Sequence, residues 1–281
     1  MYSNADRRKQ PLILMCAPNG ARLQKSDHSA ISLTSDDMAR EAVELVEAGG
    51  SVLHMHVRNP DGSHSLDADI YKHFTSAVRG TVGDKLIIQI TTEAVGIYSR
   101  AQQMSLVREL KPEAVSLALN ELCPTDEHLT EAAKFFKEVK DQGTWPQYIL
   151  YSADDVKRFN AYRKKGVFGD DNPFVLFVLG RYSTELIGQA ADLDDFLLAM
   201  DGADFPWGLC CFGKNESLAT NQAWLKGGHA RLGFENNRIL PDGSPAASNQ
   251  ELIEQTLNSI NVEKSDLATP SWVRNKFNLR Y

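Results

Sequence analysis

The sequence predicts a single (β/α)8 TIM barrel over residues 1–281, and three observations lead there. Short apolar runs recur eight times, each is followed by a longer amphipathic stretch, and polar residues gather at the C-terminal ends of the runs. Such alternation implies a parallel sheet covered by helices on its outer face. Eight units in about 250 residues is the number that closes a barrel. An open, doubly wound sheet is the competing arrangement. It usually carries a Gly-rich phosphate turn after an early strand, and no GxGxxG occurs here.

Taken in order, the apolar runs are residues 12–17, 51–57, 86–91, 114–119, 148–151, 174–179, 207–212 and 230–234. The clearest helix opens at Thr34-Ser35-Asp36-Asp37, a run of capping residues. It keeps Met38, Ala42, Leu45 and Val46 on one face until Gly49-Gly50 stops it. Further helices are expected over 67–82, 99–110, 126–141, 153–165, 193–200, 215–226 and 249–261. Residues 269–281 read as a short helix entered at Pro270, packed across the barrel or against a partner.

Composition narrows the class. Hydrophobic residues make up 42% and charged residues 24%, which is ordinary for a globular protein. A net charge of −7 without a Lys/Arg block gives no nucleic-acid footprint. No apolar run approaches the roughly 20 residues that cross a bilayer. The stretch after MYSNADRRKQ is too short for the apolar core of a signal peptide. Cys16, Cys123, Cys210 and Cys211 lack CxxC or zinc-ribbon spacing. Unpaired cysteines fit a reducing compartment, so the expectation is a cytoplasmic protein without membrane contact.

In such barrels the active site forms at the C-terminal strand ends. Those ends carry Asn19 and Arg22 (strand one), His54 and His56 (two), Thr91, Thr92 and Glu93 (three), Ser116 with Glu121 (four), Tyr151-Ser152 (five) and Gly180-Arg181 (six). Strand eight carries Arg231 and ends in Glu235-Asn236. His54-x-His56 is the sharpest feature, because residues two apart on a strand share a face. Two buried imidazoles need a shared partner or are costly. Zinc held by two His and one carboxylate is a common catalytic set with an open position, and Glu235 is the candidate third ligand. The competing reading is two histidines hydrogen-bonded to neighbours. Arg231 shares strand parity with Glu235 and is expected to point inward, in a structural ion pair or a functional role. His28 is a candidate pocket residue, His64, His73 and His128 are expected in solvent, and His229 is expected to be structural.

These residues resemble the β-keto acid cleavage enzyme family, which includes 3-keto-5-aminohexanoate cleavage enzyme. The segments that carry the likeness are Pro18-Asn19-Gly20-Ala21, HMHVRNPDG, ITTEAVG, PEAVSLALNEL and GGHARLGFENN, in order and on the expected strands. The resemblance implies a barrel, a homo-oligomer such as a tetramer, and zinc or another divalent ion on His54, His56 and Glu235. The implied reaction joins a β-keto acid with acetyl-CoA to give acetoacetate and a new acyl-CoA, an acyl-transfer and retro-Claisen cleavage. It also implies roles for Ser116 and Arg231, with Thr91 and Thr92 at the matching end of strand three, and substrate contacts extending to Asn19 and Glu121.

Two positions depart from the family pattern. The residue after the ligand Glu, an acid implicated in proton abstraction, is Asn236 here and cannot act as a base. Glu93 is then the first candidate base, Glu121 the second, and a water oriented by Asn236 the third. The residue after Gly-Ala, acidic in the aminohexanoate enzyme, is Arg22, which biases the pocket toward a negative or strongly polar tail such as that of 3-oxoadipate. Competing functions are an amidohydrolase-like metal hydrolase and a non-catalytic metal-dependent binding protein. The first normally needs further His ligands on strands five and six, which have none. A Schiff-base aldolase needs a strand Lys, also missing from the expected strands.

Overall fold

The computed structural model describes residues 10–170 and 172–279. In chain order its strands are β1 (Leu14–Cys16), β2 (Val52–Met55), β3 (Val57–Arg58), β4 (His64–Ser65), β5 (Ile87–Thr91), β6 (Ala114–Ala118), β7 (Trp145–Leu150), β8 (Phe174–Leu179), β9 (Trp207–Cys211) and β10 (His229–Leu232). Eight of these close into a parallel barrel in the cyclic order β1-β2-β5-β6-β7-β8-β9-β10. β3 and β4 form a separate antiparallel pair beyond the end of β2. The expected fifth strand starts three residues earlier than its apolar run, because the strand admits Pro146 near its beginning, where a missing N–H is tolerated.

Helices cover the barrel between strands, and side-chain caps set their starts. Thr34 caps α1 (Ser35–Glu47) in a reciprocal box with Asp37, and Asp67 caps α2 (Ala68–Val82). Ser99 boxes with Gln102 at the start of α3 (Arg100–Leu110). A short α4 (Leu119–Leu122) follows β6 directly, then come α5 (Leu129–Asp141), α6 (Ala153–Lys164), α7 (Leu193–Ala199), α8 (Glu216–Leu225), α9 (Asn249–Ser259) and α10 (Pro270–Phe277). Each cap accepts a backbone N–H that the first helical turn cannot satisfy by itself, which contributes about 1 kcal/mol.

The barrel interior changes character along its axis. At the N-terminal end Ile13, Val52, Ile87, Trp145 and Phe174 pack into an apolar plug. α10 closes that end: Phe277 stacks on Trp145 with centroids 4.6 Å apart, and Arg274 Nε donates to Glu113 Oε1 at 2.6 Å. The last two residues of the expected C-terminal helix, and the charged N-terminal stretch before Gln10, lie outside the described residues. At the C-terminal end the register sets Met15 beside Arg231, His54 beside Gln89, and Thr91 beside Ser116. Polar side chains thus gather toward that end on adjoining strands. Among the described residues no helix is long and apolar enough to cross a membrane.

Candidate functional site

At the C-terminal mouth a small cavity is lined by His54, His56, Thr91, Glu93, Ser116, Arg231 and Glu235. Arg181, Tyr151, Ala118, Ile149, Val178 and Phe212 complete its walls. His54 Nε2 and His56 Nε2 are 3.1 Å apart, and Glu235 Oε2 lies 3.5 Å and 3.4 Å from them. Among the described residues this trio is the one His/Cys/Asp/Glu group whose ligand atoms all converge, within 4.8 Å of one another.

The electrostatics of the trio suit a cation. The Gln89 side-chain oxygen takes the Nδ1 proton of His54 at 2.8 Å, which turns the Nε2 lone pair toward His56 and Glu235. Burial, with Arg231 nearby, depresses the His54 pKa to about 3, so its imidazole is neutral and able to ligate. Burial alone would raise the Glu235 carboxyl, but Arg231 and His56 hold it well below the usual carboxylate range. Its Oε2 is buried without a hydrogen-bond partner. Lone pairs aimed at one point repel each other unless something positive sits between them. Ligand atoms about 2.0–2.1 Å from a tetrahedral zinc stand roughly 3.3–3.4 Å apart, and the three spacings here bracket that figure. The residues fit a metal ion.

Local sequence explains why these atoms converge. Asn19 Nδ2 donates to the carbonyls of Ser32 (2.7 Å) and His56 (2.9 Å), pinning the residue that follows β2. Gly20 has φ +56°, and a Cβ there would stand 2.7 Å from Glu235 Cγ. Only glycine leaves Glu235 room. The Pro18-Asn19-Gly20 run therefore builds the trio from behind, and Asn19 is not in the cavity lining.

Four further expected site residues lie outside the cavity lining, each for a geometric reason. Thr92 points opposite to Thr91 and donates to Ser116 O at 3.0 Å. Glu121 is swung away by α4 and accepts from Ala94 N (3.2 Å) and Gln103 Nε2 (3.0 Å). Burial pushes its pKa up to about 7. Asn236 follows the turn at Gly233 that sends Glu235 inward, and both its side-chain polar atoms are buried without partners. Arg22 sits at the rim, half exposed, with Nη1 3.6 Å from Glu93 Oε1.

The histidine expectations divide. His229 is buried at the barrel bottom, accepting from Ile13 N at 3.0 Å, and is structural. His28 bonds Ala246 O and packs on Phe234, away from the cavity walls. His73 is exposed and His128 half-exposed. His64 is the correction: it is buried, not solvated. The Asn59–Gly62 turn folds β3 and β4 into a hairpin that seats His64 5.4 Å from the His56 ring, with Nε2 3.0 Å from Glu93 O. Gln89 had gone unread, and Arg181, placed at the end of strand six, had been given no role. Gln89 shares strand parity with Thr91, which was the available signal.

Three relatives in sequence cover nearly the whole chain. The 3-keto-5-aminohexanoate cleavage enzymes of Fusobacterium nucleatum and Acetoanaerobium sticklandii are 27% and 28% identical, over 96% and 94% of this chain and 99% and 97% of theirs. The 3-oxoadipate:acetyl-CoA acetyltransferase of Cupriavidus necator is 24% identical over 88% of this chain and 87% of its own. In fold, the binary complex of ObcA with oxaloacetate superposes with a TM-score of 0.70 at 14% identity, over 90% of this chain and 68% of that one. A type I 3-dehydroquinate dehydratase from Clostridium difficile gives 0.56 at 14% identity, over 90% and 93%. The family model for beta-keto acid cleavage enzyme matches residues 11–279, the stretch that supplies every strand of the barrel and all three converging side chains, so the chain belongs to that family.

Proposed function

We propose that this chain is a metal-dependent transferase that converts a β-keto acid and acetyl-CoA to acetoacetate and a new acyl-CoA. A bond forms between the substrate carbon flanked by keto and carboxylate groups and the acetyl carbonyl carbon. The bond from that carbon to the original keto carbon breaks, and CoA passes to the released acyl group. The single observation that supports this most is the converging His54, His56 and Glu235 trio inside the cavity.

The nitrogen and oxygen donor set favours zinc, though other divalent ions accept it. When bound, such an ion supplies a Lewis acid. The chain's own residues then bind and move protons. Arg231 is buried with Nε and Nη1 unpartnered, which leaves N–H donors for a substrate carboxylate. Its Nη2 is committed to Cys210 Sγ at 3.4 Å and Glu235 Oε1 at 3.5 Å. The Thr91 and Ser116 hydroxyls, 3.5 Å apart, offer further hydrogen bonds from the opposite wall. Glu93 is the base of this proposal. Its Oε1 faces Arg22 and Arg181, while Oε2 lies 3.9 Å from Nδ1 of His56, beside the trio. Glu121, with its carboxylate spent on Ala94 and Gln103, is poorly placed for the task. Purified, metal-analysed protein incubated with acetyl-CoA and a panel of β-keto acids tests the reading, with acetoacetate as the product measured. No acetoacetate from any member defeats it.

A further inference from the structure

The cavity mouth holds a second charged cluster. Arg181 follows β8, and Gly180 before it has φ +81° with no room for a Cβ against Gly188. That tight turn carries Arg181 back over the cavity, where its Nη2 lies 3.4 Å from Glu93 Oε1. Arg22 Nη1 approaches the same oxygen at 3.6 Å. Charge-assisted Arg–carboxylate bonds close to about 2.7–2.9 Å and often fork onto both oxygens. Here two guanidinium groups share one oxygen at longer range. Each carries five N–H donors, so Glu93 uses little of their capacity.

Arg181 is poised rather than loose. Its side chain is 22% exposed, and its guanidinium carbon lies 5.6 Å from the centre of the Phe212 ring. Glu93 stands between it and His56, with Oε1 3.4 Å from Arg181 Nη2 and Oε2 3.9 Å from His56 Nδ1. Ile149, Val178 and Phe212 supply apolar wall in the same cavity. A substrate gripped at one end by Arg231 meets apolar wall and then a guanidinium.

We propose that Arg181, with Arg22 closing the rim, reads the far end of the substrate, and that the preferred substrates are β-keto acids whose tail ends in a second carboxylate. This rests on the β-keto acid cleavage reading and names its substrate class.

The test compares kcat/KM of the metal-loaded enzyme for 3-oxoadipate and for 3-oxohexanoate, which has a methyl in place of the distal carboxylate. The same ratio is measured for Arg181→Gln, Arg181→Lys and Arg22→Gln. The wild type is expected to favour the dicarboxylate by about tenfold or more, from one or two charged hydrogen bonds. Arg181→Gln should cut that ratio about 10- to 100-fold, and Arg181→Lys, which keeps the charge without the fork, less so. A wild-type ratio near one, or a ratio unmoved in Arg181→Gln, overturns the proposal. So does an equal rise in the acetyl-CoA KM with both substrates, which assigns the guanidinium pair to the phosphates of CoA. Should the variants fail to fold, calorimetry of wild-type enzyme with glutarate and butyrate decides, with glutarate expected to bind about tenfold tighter and equal binding overturning the proposal. Acetoacetate from neither keto acid defeats the cleavage reading itself, a different result from activity without preference.

Discussion

Buried imidazoles at the two ends of this barrel meet the cost of burial in opposite ways. At the N-terminal end His229 accepts the Ile13 amide at 3.0 Å and stacks on Phe174, so its ring is satisfied by the fold. At the C-terminal end His54 and His56 point their Nε2 atoms at each other and at an unpartnered carboxylate oxygen. Burial depresses His54 and His229 alike, both to about 3, helped by Arg231 in one case and Lys276 in the other. Burial and a shifted pKa therefore do not mark a ligand. Unsatisfied lone pairs that converge do.

The sharpest way to break this comparison is to remove each set of rings. The double variant His54→Ala, His56→Ala is expected to fall from about one metal per chain to almost none by elemental analysis, and to lose more than about 1,000-fold in turnover. His229→Gln should keep its metal and lose about 1–2 kcal/mol of stability in chemical denaturation. Equal metal loss in both would erase the distinction. Glu93→Gln comes next: turnover should drop about 100- to 10,000-fold with metal content intact, and near-normal turnover rejects Glu93 as the base. Gln89→Leu is expected to weaken metal affinity about 10- to 100-fold by freeing the His54 ring, read by competition with a chelating dye. Unchanged affinity would show that Gln89 merely fills space.

A smaller effect sharpens the comparison away from the cavity. Glu41 is buried, accepting from Ser32 Oγ and Asn249 Nδ2, and burial raises its pKa from 4.5 to about 7. The folded chain thus holds a proton that the unfolded chain releases first, and stability should fall as pH rises from about 4.5 to about 7. Glu41→Gln should flatten that slope, a difference on the order of 3 kcal/mol at its largest. Parallel stability profiles for the two proteins would contradict the assignment.

Most of the barrel was legible because strands and helices alternate with clear caps and because interior strands are continuously apolar. His54, His56, Thr91, Glu93, Ser116, Arg231 and Glu235 were legible as neighbours because strand parity and the C-terminal rule act together. Alternation also told against two expected site residues: Thr92 adjoins Thr91 and Asn236 adjoins Glu235, and in both pairs only the first lines the cavity. Past the strand ends parity stops working. Glu121 was lost to a one-turn helix, and His64 to strands of two residues, too short for any period to show. Arg181 depends on a tight glycine turn whose direction the sequence does not state.

Isotope-labelled acetyl-CoA tests the central claim most directly. Metal-loaded enzyme, acetyl-CoA labelled in both acetyl carbons and an unlabelled β-keto acid should yield acetoacetate labelled at its keto and methyl carbons alone, with the acyl-CoA product unlabelled. Metal-stripped enzyme should yield neither product. Unlabelled acetoacetate, or label entering the acyl-CoA, would contradict the proposed bond exchange.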